Sequence, residues 1–253
     1  WIKSINANYE IGIDGISLPL LVLSTFITVL AIIYSIEHLP EPKSPKGFLA
    51  LILVLETGMN GTFVALDLIL FFVFFEIVLL PMYFMIGIWG DKTVRTVSGF
   101  KNQIETRLYA SIKFFVFTLF GSAFMLLGFL GLYYRGNKTF SIPELIELGT
   151  SGAFTGTFAT LVFAVLFLGF AVKVPMWPLH TWLPDAHTAA PTVGSVLLAA
   201  ILLKLGSYGF VRIAIPILPE QAKAWAPAIA ILSAIGIIYG SLACLAQTDL
   251  KRL

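Results

Sequence analysis

Charge is what this sequence has least of. Only 12% of its 253 residues are Asp, Glu, Lys or Arg, against 58% apolar, which leaves too little polar surface to solvate a globule of this size. The net charge of +2 comes without any basic run, so nothing favours a nucleic-acid partner. One cysteine, Cys244, excludes a disulfide framework and a cysteine-ligated iron–sulfur cluster within the chain. The three histidines, His38, His180 and His187, offer no convincing axial pair for haem: the first sits at the end of an apolar run and the others flank a proline-containing turn. There is no GxGxxG after a strand, no P-loop and no CxxC, so nicotinamide, flavin and nucleotide sites have no footing.

What is present is apolar sequence in long runs, with a mean hydropathy of +0.93. Runs near 16–36, 48–66, 68–90, 108–134, 154–182, 190–212 and 225–246 reach the roughly 20 residues a bilayer requires. The expectation is therefore an all-α, polytopic transmembrane bundle, with the fifth span broken by prolines. The opening stretch, Trp1 to Gly15, is short and mixed and reads as a loop lying at the interface. The loop HLPEPKSPKG cannot continue a helix, while Ala65 to Leu68 is so short that the second and third spans must form a hairpin. No small-residue cleavage site follows the first charges. The sequence begins at Trp1 and stops at Lys-Arg-Leu directly after an apolar run, as a fragment would.

Alternate loops divide the cations unevenly. Lys3, Arg135, Lys138, Arg212 and Lys223 fall on the side of residue 1, and Lys43, Lys46, Lys92, Arg95, Lys101, Arg107, Lys251 and Arg252 on the other. The positive-inside rule puts the second set in the cytoplasm.

Three lysines remain inside spans. Lys113 is near enough to a helix end to snorkel. Lys204 lies about thirteen residues past Pro191, roughly 20 Å along a helix, too deep for that. Lys173 sits in FLGFAVKVPMWPLHTWLPDAH just before Pro175 and Pro178, which remove two backbone donors. An ammonium at a helix centre costs about 2.5–3.5 kcal/mol on insertion scales, and a broken helix at membrane depth needs protein or a wet cavity to satisfy its freed groups. Glu76, five residues before Pro81, is near mid-span, and Lys173 is the partner expected for it. Glu56, in LALILVLETGMNG, is also near mid-span; it is either a further relay member or a neutral acid that satisfies neighbouring backbone. His180 is the histidine to keep as a proton carrier, because imidazole titrates near neutral pH. Buried ion pairs can also simply fasten helices, and small residues such as Gly121, Ser122, Gly194, Ser195 and Gly206 let helices approach without any function. Two deep lysines, a deep glutamate and a helix break together favour an ion path over that reading.

FFVFFEIVLLPMYFMIGIWG, then KVPMWPLHTWLPDAHTAAPTVGSVLLAAILLKLGSYGFVR, then LAQTDLKRL at the end resemble the antiporter-like proton-translocating membrane subunits of complex I, of the chain M or subunit 4 type, which are related to subunits of multisubunit sodium/proton antiporters. Family members have about fourteen helices, so the chain corresponds to the third to ninth, and residues 48–212 would form the first of two inverted five-helix repeats. The resemblance makes Glu76 the glutamate of the fifth family helix, Lys173 the lysine of the broken seventh and Lys204 the lysine of the eighth. Gln247, Thr248, Asp249 and Lys251 match the start of the tenth. Glu56 gains no support from it.

The function this implies is proton transfer along buried Glu and Lys residues, within the membrane arm of an NAD(P)H:quinone oxidoreductase. No cofactor is expected in this chain: NAD(P)H, FMN, iron–sulfur clusters and quinone would belong to partner subunits. Other hydrophobic membrane-arm subunits, lipid, water and protons are the expected partners. The expected location is a bacterial or archaeal cell membrane, with an organellar or thylakoid energy-converting membrane as the alternative. A sodium/proton antiporter or membrane-bound hydrogenase subunit would use the same residues, and a passive helix bundle is the third reading.

Overall fold

The computed structural model describes residues 1–96, 103–248 and 251. Lys101, Asp249 and Arg252 therefore lie outside the described residues. Seven described helices are long and apolar enough to cross a membrane: Ser17–Glu37, Pro45–Val64, Leu68–Trp89, Thr106–Arg135, Gly156–Lys173, Thr192–Ile217 and Pro219–Leu245. They are numbered here as the first to seventh spans, and they make the chain an integral, multi-pass membrane protein.

Each boundary has a local cause. Pro45 opens the second span at a position where its missing N–H is not needed. Asp67 closes the hairpin to the third: its fully buried carboxylate accepts from the Ile69 and Leu70 N–H groups at 2.8 and 3.1 Å and from the Asn8 N–H at 2.9 Å. The third span breaks at Val78, between Leu68–Ile77 and Leu79–Trp89, because Pro81 supplies no N–H for the Ile77 carbonyl. The sixth span runs on to Ile217, past the expected 212, and the seventh begins at Pro219 instead of 225.

Two short helices and a hairpin went unforeseen. Ile142–Thr150 packs at one end of the bundle, Trp182–Ala189 follows the broken fifth span, and Val94–Thr96 pairs antiparallel with Gln103–Glu105. The proline break expected within 154–182 is present, and the helical part of that span is shorter than expected. Regular helix stops at Lys173, residues 174–181 form turns, and the chain becomes helical again at Trp182.

Loops gather at the two ends in the order the cation pattern requires. At one end Trp89 Nε1 donates to the Pro42 carbonyl at 2.8 Å, the Asp91 N–H to Ala189 at 2.8 Å and Lys251 Nζ to Ala190 at 2.6 Å. At the other, Gly12 N–H donates to Val64, Leu66 N–H to Glu10 and Ile142 N–H to Leu66. Arg212 pairs there with Asp14. The opening segment is hydrogen-bonded along the second-to-third turn.

The core lies among the second to sixth spans. The fourth and fifth pack closely: a Cβ on Gly169 would stand 2.9 Å from the Gly121 carbonyl oxygen. The seventh span contributes no buried residue, so most of its apolar surface is open to lipid or to other chain.

Candidate functional site

Lys173 is the last residue of the fifth-span helix, and only 2% of it is exposed. Pro175 sets up the local geometry. Because proline cannot donate to the Ala171 carbonyl, the Met176 N–H takes that acceptor at 2.9 Å. This leaves the Val172 carbonyl without its usual helical partner, and the Trp182 indole N–H fills the place at 2.9 Å. The break at membrane depth is thus satisfied from within the protein, as the absence of bulk water demands.

The Lys173 ammonium has no hydrogen-bond partner among the described residues. It lies 4.6 Å from the centre of the Phe75 ring, a contact worth about 2 kcal/mol when desolvated. The next residue, Glu76, has a buried Oε1 that is likewise unpartnered. Its carboxyl group reaches toward the Ser122 hydroxyl of the fourth span and shares an electrostatic interaction with Lys173. The Ser122 hydroxyl also stands 3.0 Å from the Leu119 carbonyl, so its single rotatable hydrogen can be given to that carbonyl or to the Glu76 carboxylate. Glu76 and Lys173 are therefore neighbours through the field but not a closed ion pair, a loose arrangement in which either can change protonation without tearing a salt bridge.

Lys204 stands apart from this group. It is deep along the sixth span but exposed on the described surface, and its ammonium donates to the Ala199 carbonyl one turn back. Helical phase explains this. Gly206 packs against Lys173, where a Cβ would stand 3.0 Å from the Lys173 Cβ, and a residue two positions away on a helix faces nearly the opposite direction. Lys204 thus belongs to the face turned away from Lys173. Around it the sixth span has wide turns at Leu198–Leu202 and Phe210–Ala214, a deformation frequent at functional sites.

His180 sits in the turns after the break, with Nδ1 buried and unpartnered and its ring edge-on to Tyr239 at 5.2 Å. It lines a cavity of about 540 Å³ shared with Asp185, Thr188, Tyr239 and Gln247. Glu56 is half-buried on the second span beside Asn60, one turn on. Lys113 is about one-fifth exposed. It forms an ion pair with Asp185 at 2.8 Å, because Trp182–Ala189 folds back onto the fourth span and brings a carboxylate within reach. That pair, Ser122 and Trp182 were missed in the sequence. Trp182 closes the expected fifth span and Asp185 falls in the connection after it, and only the fold shows what they touch.

The family model described as NADH:quinone oxidoreductase/Mrp antiporter, TM, matches residues 65–253, and that of NADH-ubiquinone oxidoreductase chain 4, amino terminus, matches residues 2–62. The chain is 44% identical over 262 residues to NADH-quinone oxidoreductase subunit M of Rhodobacter capsulatus, covering 100% of this chain and 48% of the relative. It is 41% identical over 253 residues to NADH-ubiquinone oxidoreductase chain 4 of Marchantia polymorpha, covering 100% and 47%. It spans about half the length of these curated relatives. Among solved structures, respiratory complex I from Thermus thermophilus with bound NADH contains a chain that superposes with a TM-score of 0.78 at 31% identity, covering 96% of this chain and 47% of that one. A chain of the membrane-bound sulfane sulfur reductase, an archaeal respiratory membrane complex, shares the fold at a TM-score of 0.78 and 23% identity. With more than half of its length matched, the chain belongs to the NADH:quinone oxidoreductase/Mrp antiporter transmembrane family.

Proposed function

We propose that the chain is part of a proton-translocating subunit in the membrane arm of a complex I-type NAD(P)H:quinone oxidoreductase. The observation that carries this reading is Lys173, an unpartnered ammonium at a helix break, buried against Phe75 and within the field of Glu76. When Glu76 is ionised it favours the charged form of Lys173; when the two separate or Glu76 takes a proton, burial destabilises the ammonium and it gives up its proton. His180, at the cavity beside the break, is the candidate carrier to or from bulk water. Lys204 faces away from Lys173, so a proton that reaches it must pass by water around the sixth span or after a change in that span's wide turns.

In this reading NAD(P)H, FMN, iron–sulfur clusters and quinone are held by partner subunits, and other membrane-arm subunits cover the exposed faces of the sixth and seventh spans. Residues 48–212 form the first of two inverted five-helix repeats, and the cation-rich loops face the cytoplasm of a bacterial or archaeal cell. Glu56 has no assigned step. A sodium/proton antiporter subunit or a membrane-bound hydrogenase module would place the same residues in the same roles, and the proteins that co-purify with the full-length chain distinguish them.

The test is a pair of substitutions in the assembled complex, reconstituted into vesicles. Lys173→Met and Lys173→Arg should both abolish proton transport, since arginine keeps the charge but does not release it near neutral pH. Electron transfer to an artificial acceptor in the peripheral arm should persist. An assembled Lys173→Arg variant that transports protons at the normal rate refutes the relay, and normal transport in both variants would leave a passive bundle.

A further inference from the structure

The helix that follows the break, Trp182–Ala189, is clasped to the fourth span at two points. Asp185 pairs with Lys113 at 2.8 Å, each side chain about one-fifth exposed (21% and 20%). Three residues earlier, the fully buried Trp182 ring packs on Phe114 with centroids 5.4 Å apart. Lys113 and Phe114 are consecutive, so one short stretch of the fourth span receives both contacts. From that position the Trp182 indole reaches back across the break to the Val172 carbonyl, at the residue immediately before Lys173. The same fourth span carries Ser122, toward which Glu76 points. One helix thus holds the surroundings of Glu76 and, through Trp182, the backbone of Lys173.

The ammonium itself is hydrogen-bonded to nothing among the described residues. Its place relative to Glu76 is therefore set by the backbone beneath it and by the Phe75 ring. We propose that Trp182 is a positioning residue for Lys173, and that the Lys113–Asp185 ion pair is the latch that keeps it in place. This rests on Lys173 being a proton-carrying group. The latch joins the segment after the break to the helix behind Glu76, so opening it would free the Val172 carbonyl and let the Lys173–Glu76 separation change.

The experiment uses the intact complex in proteoliposomes, with assembly checked on each sample. Trp182→Phe keeps the aromatic contact with Phe114 but removes the N–H. Asp185→Asn removes the latch charge, and the exchange Lys113→Asp with Asp185→Lys restores it reversed. The first two should lower proton transport by up to about a hundredfold, which a misplacement of about 1 Å can cost, and should displace the midpoint of its pH profile by about one unit, the usual reach of a changed environment. The exchanged pair should recover most of the rate. A packing role alone would leave the pH profile of assembled protein where it was. Normal transport with an unshifted profile in Trp182→Phe overturns the positioning role. An assembled exchange variant no better than Asp185→Asn overturns the latch, and failure of both single variants to assemble would make these contacts folding elements and overturn both. Lys173→Arg, run alongside, separates the two layers: if it transports normally, the relay reading itself has failed; if it is inactive while Trp182→Phe is normal, only this inference has.

Discussion

Gly206 and Gly194 lie on the same span and look alike in sequence, yet they should respond in opposite ways to alanine. A Cβ on Gly206 would stand 2.9 Å from Val174 Cγ2, 3.0 Å from Lys173 Cβ and 3.0 Å from the Phe170 carbonyl oxygen. Two of these three neighbours are fixed closely to the fifth-span backbone, so the contact can be relieved only if the spans part by several tenths of an ångström. At Gly194 the nearest neighbours are Pro191 Cδ and Cγ at 3.4 Å, ordinary van der Waals contact. Both substitutions gain the helix propensity of alanine, about 1 kcal/mol, and this cancels in their difference. What remains is the overpacking at Gly206, which typically costs about 1–3 kcal/mol. Gly194→Ala should therefore be neutral to slightly stabilising, and Gly206→Ala less stable than Gly194→Ala by about 1–3 kcal/mol. Denaturant-induced unfolding of the full-length subunit in mixed micelles, following tryptophan fluorescence, measures the gap. Equal stability of the two variants would refute the close approach of the fifth and sixth spans at Lys173.

The second span ends with the Phe63 carbonyl accepting from the Tyr208 hydroxyl at 2.8 Å; Tyr208→Phe removes that donor with little change of shape and should cost about 1–2 kcal/mol in the same unfolding experiment. In the opening segment, the Ser17 N–H holds the half-exposed Asp14 carboxylate down, joined by the Ile16 N–H and the Arg212 guanidinium, to about 2 from an ordinary 3.8 despite opposing desolvation. A depressed carboxylate stabilises the fold above its unfolded pKa and loses that contribution as pH falls through the folded one. Stability should therefore fall between about pH 4 and pH 2, and Asp14→Asn should flatten this part of the profile in thermal unfolding read by circular dichroism.

The spans were legible because a bilayer asks for little more than length and hydropathy, and the hairpin at Ala65 to Leu68 because no longer connection was available. Boundaries near proline were less so. Pro175 and Pro178 announced a break in the expected 154–182 span, but hydropathy cannot register that the chain runs through turns from Val174 and becomes helical again only at Trp182. Ile142–Thr150 carries two glutamates in nine residues, so a search for apolar runs passes over it. The Lys113–Asp185 pair joins positions 72 apart. In sequence, Lys113 shows only its distance from a helix end, and snorkelling is what that distance suggests.

Among the candidate site residues, depth was readable and direction was not. Glu76 and Lys173 each lie beside a proline break in their own spans, at Val78 in one and in the turns from Val174 in the other, and Lys173 stacks on Phe75, the residue before Glu76. Lys204 was placed at the right depth, but its azimuth is decided by its neighbours. Gly206 and Gly209 both face the fifth span, where Phe170 sits 2.2 Å from a Cβ built on the second of them, and this phase turns Lys204 the other way. A glycine that marks a close approach therefore also locates its charged neighbour two residues back, on the far face. Applied to the sequence, that rule separates the lysine that packs on Phe75, beside Glu76, from the one on the far face of the sixth span.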